Sequence, residues 1–281
     1  MENVVATMEK PSNHHGMSHA LGSEYLLNEF FHFAAALANQ SNHHHIGLGH
    51  AHRGQHEARL GIADPEGRQA LQTLRDSHEA FLKWRTTTLE ERGGILREIA
   101  KRLRAGKDDY AALMTREMGK PISQGGDEIE LCAAICEYTA DTAADELGDE
   151  ERALDGGRAL ISYQPQGVIL GIQPWNFPFY QVIRYTIANL MAGNTVLLKH
   201  APNVWGCAEA LEDIFREAGM PENVFNVLYI QEDQASQVTE HKRVRGVTFT
   251  GSAATGRKIA AAAGEHLKKT VLELGSNDAF L

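Results

Sequence analysis

Cysteine is scarce in this chain of 281 residues: only Cys132, Cys136 and Cys207 are present. Three thiols cannot build a disulfide framework, which fits a reducing compartment and a cytoplasmic protein. Positive charge is short as well. The 27 Lys and Arg stand against 37 Asp and Glu, for a formal net charge of −10. That balance argues against a nucleic-acid-binding body, which needs clustered cations to meet phosphates, and against a polybasic membrane-surface protein. The longest apolar runs fall short of the roughly 20 residues of a membrane helix. The N-terminus lacks a basic stretch followed by an apolar core, so no secretory leader is expected. What remains is ordinary for a globular chain: 43% hydrophobic and 23% charged residues. At roughly 150 residues per domain, the length allows one or two domains.

Histidine is abundant and unevenly placed. Of 14 histidines, ten lie at or before position 56 (His14, His15, His19, His32, His43, His44, His45, His50, His52 and His56). Residues 1–66 show one amphipathic stretch, Glu24 to Asn39, and otherwise little pattern. The histidines could form a metal-binding tract. Metal sites, however, need a few ligands at fixed spacings, and no zinc pattern is present, so no metal site is assigned. A poorly ordered or atypical segment is expected there.

From Glu66 to Gly148 the pattern is helical. Leu71, Leu74 and Phe81 share a face, as do Ile95, Ile99 and Leu103. Thr88 and Glu91 read as a capping box, and Gly106 suits a helix end. Gly119-Lys120-Pro121 stops the next helix, and Glu128 to Leu147 forms another. Cys132 and Cys136, four residues apart on it, read as core. Arg152 to Gln164 changes period around Asp155-Gly156-Gly157, which predicts a protruding hairpin able to pair with a neighbouring subunit.

The last third alternates strand and helix. Strands are predicted at Val168–Ile172, Thr195–Lys199, Val224–Tyr229, Val244–Thr250 and Thr270–Leu274, with helices at Phe179–Met191, Val204–Ala218, Asp233–Glu240 and Ala253–Ala263. This is the rhythm of a doubly wound α/β fold, a parallel sheet covered on both faces with its ligand beyond the carboxyl ends of the strands. Four segments stand at those ends: Pro174-Trp175-Asn176-Phe177-Pro178, Lys199-His200-Ala201-Pro202-Asn203, Phe249-Thr250-Gly251-Ser252 with Gly256 following, and Leu272-Glu273-Leu274-Gly275. Gly251, Ser252 and the helix start after them can cradle a phosphate, or form a plain strand-to-helix turn. Lys199 can bind a ribose hydroxyl or phosphate, or be a surface lysine. Glu273 can act as a general base after a buried strand, or be a solvated turn carboxylate. Asn176 can donate to a developing oxyanion, or simply shape a turn.

Together, in this order and spacing, the four segments resemble the aldehyde dehydrogenase superfamily. The resemblance runs from about residue 67 to the end, and Ala80-Phe81-Leu82-Lys83-Trp84-Arg85, Glu91-Arg92 and Glu117-Met118-Gly119-Lys120-Pro121 are similar to that family's N-terminal helices. It implies a Rossmann-like NAD(P)-binding domain over residues 67–281 with an oligomerisation hairpin at 152–164. It implies Asn176 as half of an oxyanion hole and Glu273 as the base for a deacylating water. Lys199, Trp175, Gly251, Ser252 and Gly256 would bind NAD or NADP, with Phe177 lining the substrate tunnel. The implied reaction is covalent oxidation of an aldehyde through a cysteine thioester. Arg184 resembles the arginine that succinate-semialdehyde dehydrogenases aim at the substrate carboxylate, a pairing that suits a guanidinium fork. The Lys199–Asn203 segment is similar to one bacterial branch of those enzymes. A homo-oligomer is expected for the full-length form.

Two departures accompany the resemblance. In the family the nucleophilic cysteine lies roughly thirty residues beyond the glutamate, whereas Leu281 is eight residues beyond Glu273. The expectation is therefore a fragment or frameshifted product without the catalytic domain; the rival reading is an inactive dinucleotide-binding or subunit-association module. Pro202 stands where many NAD-specific members carry a glutamate that repels a 2′-phosphate, which leaves NADP open. Ser276 stands where a second glycine often sits.

Overall fold

The computed structural model describes residues 65–154 and 157–275. The His-rich segment, the Glu24–Asn39 stretch, Asp155-Gly156 and the residues from Ser276 onward lie outside them. Four helices come first: α1 (Pro65–Trp84), α2 (Leu89–Ala105), α3 (Lys107–Met118) and α4 (Ile122–Glu146). The start of α2 is the capping box that the sequence predicts. Thr88 Oγ1 accepts the Glu91 N–H at 3.1 Å, and Glu91 Oε2 accepts the Thr88 N–H at 2.7 Å. Such a cap contributes about 0.5–2 kcal/mol. Helix α4 begins six residues earlier than its apolar pattern suggests, running through Gly125-Gly126. Tight packing explains this: a Cβ on Gly125 would sit 3.0 Å from Ala111 Cα, so the glycine lets α3 and α4 approach closely.

A hairpin follows, β1 (Glu150–Leu154) paired antiparallel with β2 (Gly157–Ile161). It lies slightly N-terminal to its predicted position, and its described side chains are mostly exposed. The chain then alternates: β3 (Val168–Gln173), α5 (Tyr180–Met191), β4 (Thr195–His200), α6 (Trp205–Glu217), β5 (Phe225–Val227), α7 (Glu232–Glu240), β6 (Val244–Gly251), α8 (Ala253–Glu265) and β7 (Lys269–Leu274). Strand β5 is only the middle of the predicted Val224–Tyr229 run, because as an edge strand it pairs along β4 alone.

The five strands are parallel, in the order β5-β4-β3-β6-β7. The order reverses between β3 and β6, which is where a doubly wound sheet opens a crevice. Apolar clusters cover both faces. Leu71 and Leu74 of α1, with Ala235 and Val238 of α7, pack on Leu170, Leu197 and Val247. On the other face, helices α2, α4, α5 and α6 pack on Val196, Leu198 and Val227. Strand β4 is buried along its whole length, but β7 is not. Glu273 therefore does not follow a buried strand, as the sequence pattern suggests. It lies within a half-exposed edge strand with no strand paired to its outer side among the described residues.

Candidate active site

Strand register aligns the predicted residues. Lys199 lies beside Ile172, Ile172 beside Phe249, and Phe249 beside Leu272. In the next row, His200 lies beside Gln173 and Thr250 beside Glu273. Successive side chains on a strand point to opposite faces, so Lys199 and Glu273 project from opposite faces of the sheet. The predicted site is thereby divided into two groups.

The first group surrounds a cleft of about 510 Å³ at the carboxyl ends of the strands. Its walls include Lys199, Trp175, Pro202, Phe249, Thr250 and Lys258. Lys199 is buried, which lowers the pKa of its ammonium; the nearby Glu232 carboxylate works in the opposite direction. A largely desolvated cation on the wall of an open cleft suits an anionic or hydroxyl-rich ligand. Ser252 caps α8, its Oγ accepting the Thr255 N–H at 3.2 Å. Gly251 ends β6 directly before that cap. Gly256 is buried where α8 meets the end of β7, and a Cβ there would come 2.6 Å from Leu274 Cδ2, the tip of a half-exposed side chain that would have to move aside. A buried cation on the wall and a helix start at the rim are features that can hold an anionic, hydroxyl-rich ligand such as a dinucleotide.

The second group is a chain of contacts. Phe177 meets Tyr180 edge-on with ring centroids 6.1 Å apart, and the Arg184 guanidinium lies 6.0 Å from the Tyr180 ring. Arg184 Nη2 lies 3.5 Å from Glu273 Oε1. The Trp175–Phe177 segment links the two groups: Trp175 lines the cleft, Phe177 belongs to the arginine side, and Asn176 stands exposed between them. The structure thus joins Arg184, Glu273 and Phe177, and separately Lys199 and Trp175. None of Asn176, Gly251, Ser252 and Gly256 forms the cleft wall itself.

Several residues around the site are given no chemical role by the sequence reading, although His200 and Glu117 lie in segments it quotes. Glu117 accepts the Gly206 and Cys207 N–H groups at 2.8 and 2.9 Å, satisfying the start of α6. Glu128 Oε1 accepts the Phe179 and Tyr180 N–H groups, each at 2.9 Å, and its other oxygen pairs with Lys120. His200 is wholly buried, and burial lowers its pKa. Its Nε2 lies 2.9 Å from Pro178 O, and its Nδ1 lies 3.0 Å from the Ala201 nitrogen and 3.3 Å from Gln173 O; a proton on Nε2 serves the two shorter contacts, Nε2 donating to Pro178 O and Nδ1 accepting the Ala201 N–H. The signal for these residues is polar side chains at helix stops and in apolar runs. Periodicity cannot say which backbone groups they meet.

The three cysteines are wholly buried, and burial pushes each thiol up. A nucleophile needs an accessible thiolate, so none of the three meets that requirement. Among the described residues, no helix is long and apolar enough to cross a membrane.

Comparison with known proteins identifies the family and the fold. The aldehyde dehydrogenase family model matches residues 51–281. A succinate-semialdehyde dehydrogenase [NAD(P)+] of Escherichia coli is 44% identical over 201 residues, covering 72% of this chain and 44% of that protein. A succinate-semialdehyde dehydrogenase [NADP(+)] of Deinococcus radiodurans is 39% identical over 203 residues, covering 72% and 43%. The crystal structure of the Streptococcus pyogenes succinic semialdehyde dehydrogenase with NADP+ superposes with a TM-score of 0.74 at 38% identity, covering 87% of this chain and 50% of that one. The chain spans less than half the length of these curated relatives. With a Rossmann-like parallel sheet and a family match over more than three quarters of its length, the chain belongs to the aldehyde dehydrogenase family.

Proposed function

We propose that these residues form the cofactor-binding part of an NADP+-dependent aldehyde dehydrogenase acting on succinate semialdehyde. The observation that carries the reading is the Trp175–Phe177 segment, which lies between a dinucleotide-sized cleft and an arginine–carboxylate pair. Pro202 offers no carboxylate at its own position, although Glu232 and Asp233 line the same cleft, and the choice of NADP+ is supported by relatives named for NADP(+).

When bound, the nicotinamide accepts the hydride that leaves the substrate carbon. The chain's own groups do the rest. Lys199 holds the cofactor from the cleft wall, and the free N–H groups at the start of α8 receive its phosphates. Asn176 donates to the oxygen that becomes anionic when a thiolate adds to the aldehyde. Glu273 takes a proton from the water that hydrolyses the thioester. Arg184 forks the substrate carboxylate, which would compete with Glu273 for the guanidinium and so free the base. None of the three buried cysteines is placed to supply that thiolate. The exposed hairpin, with Leu160 58% exposed, supplies a surface for pairing with a second subunit.

Titration of the chain with NADP+, read by the tryptophan fluorescence that a Trp175→Phe variant loses, tests the reading. Saturable quenching is expected. Lys199→Ala should weaken it about tenfold or more, the loss of one charged hydrogen bond. Absence of quenching in the wild type, or equal affinity in the variant, would count against the cleft as the cofactor site. In a form that turns over, Arg184→Ala should lower semialdehyde oxidation at least about tenfold more than propanal oxidation. Equal losses on both substrates would remove the carboxylate assignment.

A further inference from the structure

Three buried polar side chains take no part in the proposed reaction, yet they converge on one short piece of backbone. His200 donates to the Pro178 carbonyl at 2.9 Å. Glu128, its side chain 1% exposed, accepts from the next two residues, Phe179 and Tyr180. Lys120 neutralises Glu128, and its ammonium also lies 3.6 Å from the Phe177 ring centroid. The three come from different elements: the end of β4, helix α4 and the α3–α4 turn. Burying an ion pair is costly, and apolar residues of similar volume often stabilise a fold as well or better. What an apolar trio could not do is bond both polar ends of the Pro178–Phe179 peptide group and the N–H of the next one in a single orientation.

We propose that His200 and Glu128, with Lys120, are positioning residues for Asn176. By fixing the Pro178–Tyr180 backbone, they hold the amide two residues upstream between the cofactor cleft and the Arg184–Glu273 pair. The inference rests on the oxyanion role proposed for Asn176. A donor displaced by about 1 Å can cost on the order of a hundredfold in rate, so rigidity here has a chemical use.

Hydrogen exchange of the full 281-residue chain, resolved by peptide, tests it. His200→Leu removes the donor, and the double variant Lys120→Met with Glu128→Leu removes the acceptor without stranding a buried charge. Each should speed exchange of segment 174–181 by about ten- to a hundredfold, while β3 and β4 stay protected. His200→Gln, which keeps an N–H donor, and Lys120→Met with Glu128→Gln, which keeps a carbonyl acceptor, should restore most of the protection. Unchanged exchange in that segment would overturn the proposal. So would faster exchange spread evenly over the sheet, or failure of the conservative pair to rescue, since either would reduce the trio to general packing. Wild-type NADP+ titration separates the two layers of the argument. Local loosening in the variants without any wild-type cofactor binding would overturn the underlying reading rather than the clamp.

Discussion

The strand ends that carry the candidate site are held in two ways. After β3 and β4, the chain is pinned by buried polar groups: His200 on Pro178, Glu128 on Phe179 and Tyr180, and Lys120 under Phe177. After β6 and within β7, the corresponding residues are exposed and locally held, Ser252 by its own helix cap and Glu273 by one ion pair at 3.5 Å. The first pair lies between the sheet and a second layer of helices, where an unpaired polar atom is expensive. The second lies at the sheet edge, where water can substitute for any partner. The two halves of the site therefore differ in rigidity for reasons of burial, and the rigid half is the one bearing the proposed oxyanion donor.

The sharpest way to break this comparison is Glu128→Ala, which leaves Lys120 buried without its partner. A loss of about 3–5 kcal/mol is expected from urea unfolding. A loss near that of a surface pair, under about 1 kcal/mol, would erase the distinction between the two halves. On the open side, Ser252→Ala removes one helix cap and should cost only about 1 kcal/mol in the same measurement. A cost as large as that of Glu128→Ala would show that the α8 start is anchored by more than its cap.

The smallest effect concerns pH. Lys268 donates to the His241 and Val244 carbonyls at 2.5 and 2.9 Å, and burial, with Arg245 nearby, pushes its pKa down to about 8. Between about 8 and the 10.5 of a free lysine, the unfolded chain holds a proton that the folded chain lacks. Stability should therefore rise with pH across that window, and the full cost of the depressed pKa is felt below it. The group is partly solvated, so the size is about 1 kcal/mol or less after screening. The difference between wild type and Lys268→Met, followed from pH 7.5 to about 10.5, checks it. A flat or falling difference would mean that Lys268 is not desolvated as the structure shows.

Much of this was legible beforehand at particular residues. The Thr88–Glu91 cap, the helix stops and the strand–helix alternation depend on neighbours within a few positions, and the structure contains them. Lys199 and Trp175 meet at one cleft because both stand at carboxyl ends of adjacent strands, which alternation alone implies. The beginning of α4 was not legible, because the glycines that mark a loop locally are there for contact with α3. Nor was the exposure of β7, since an apolar run reads alike in a central strand and an edge strand.

By itself, the sequence determined the fold class, the order of the elements and the residue types that bring chemistry to the strand ends. Those follow from periodicity, caps and turns, all short-range properties of the chain. Only the tertiary structure decided which of those residues meet. It placed Arg184 against Glu273, put Lys199 on the other face of the sheet, and brought Glu128, 51 residues away from Phe179, to the backbone beside Asn176. These are contacts between distant parts of the chain, set by sheet register and by the need to pair every buried polar group, and no local pattern encodes them.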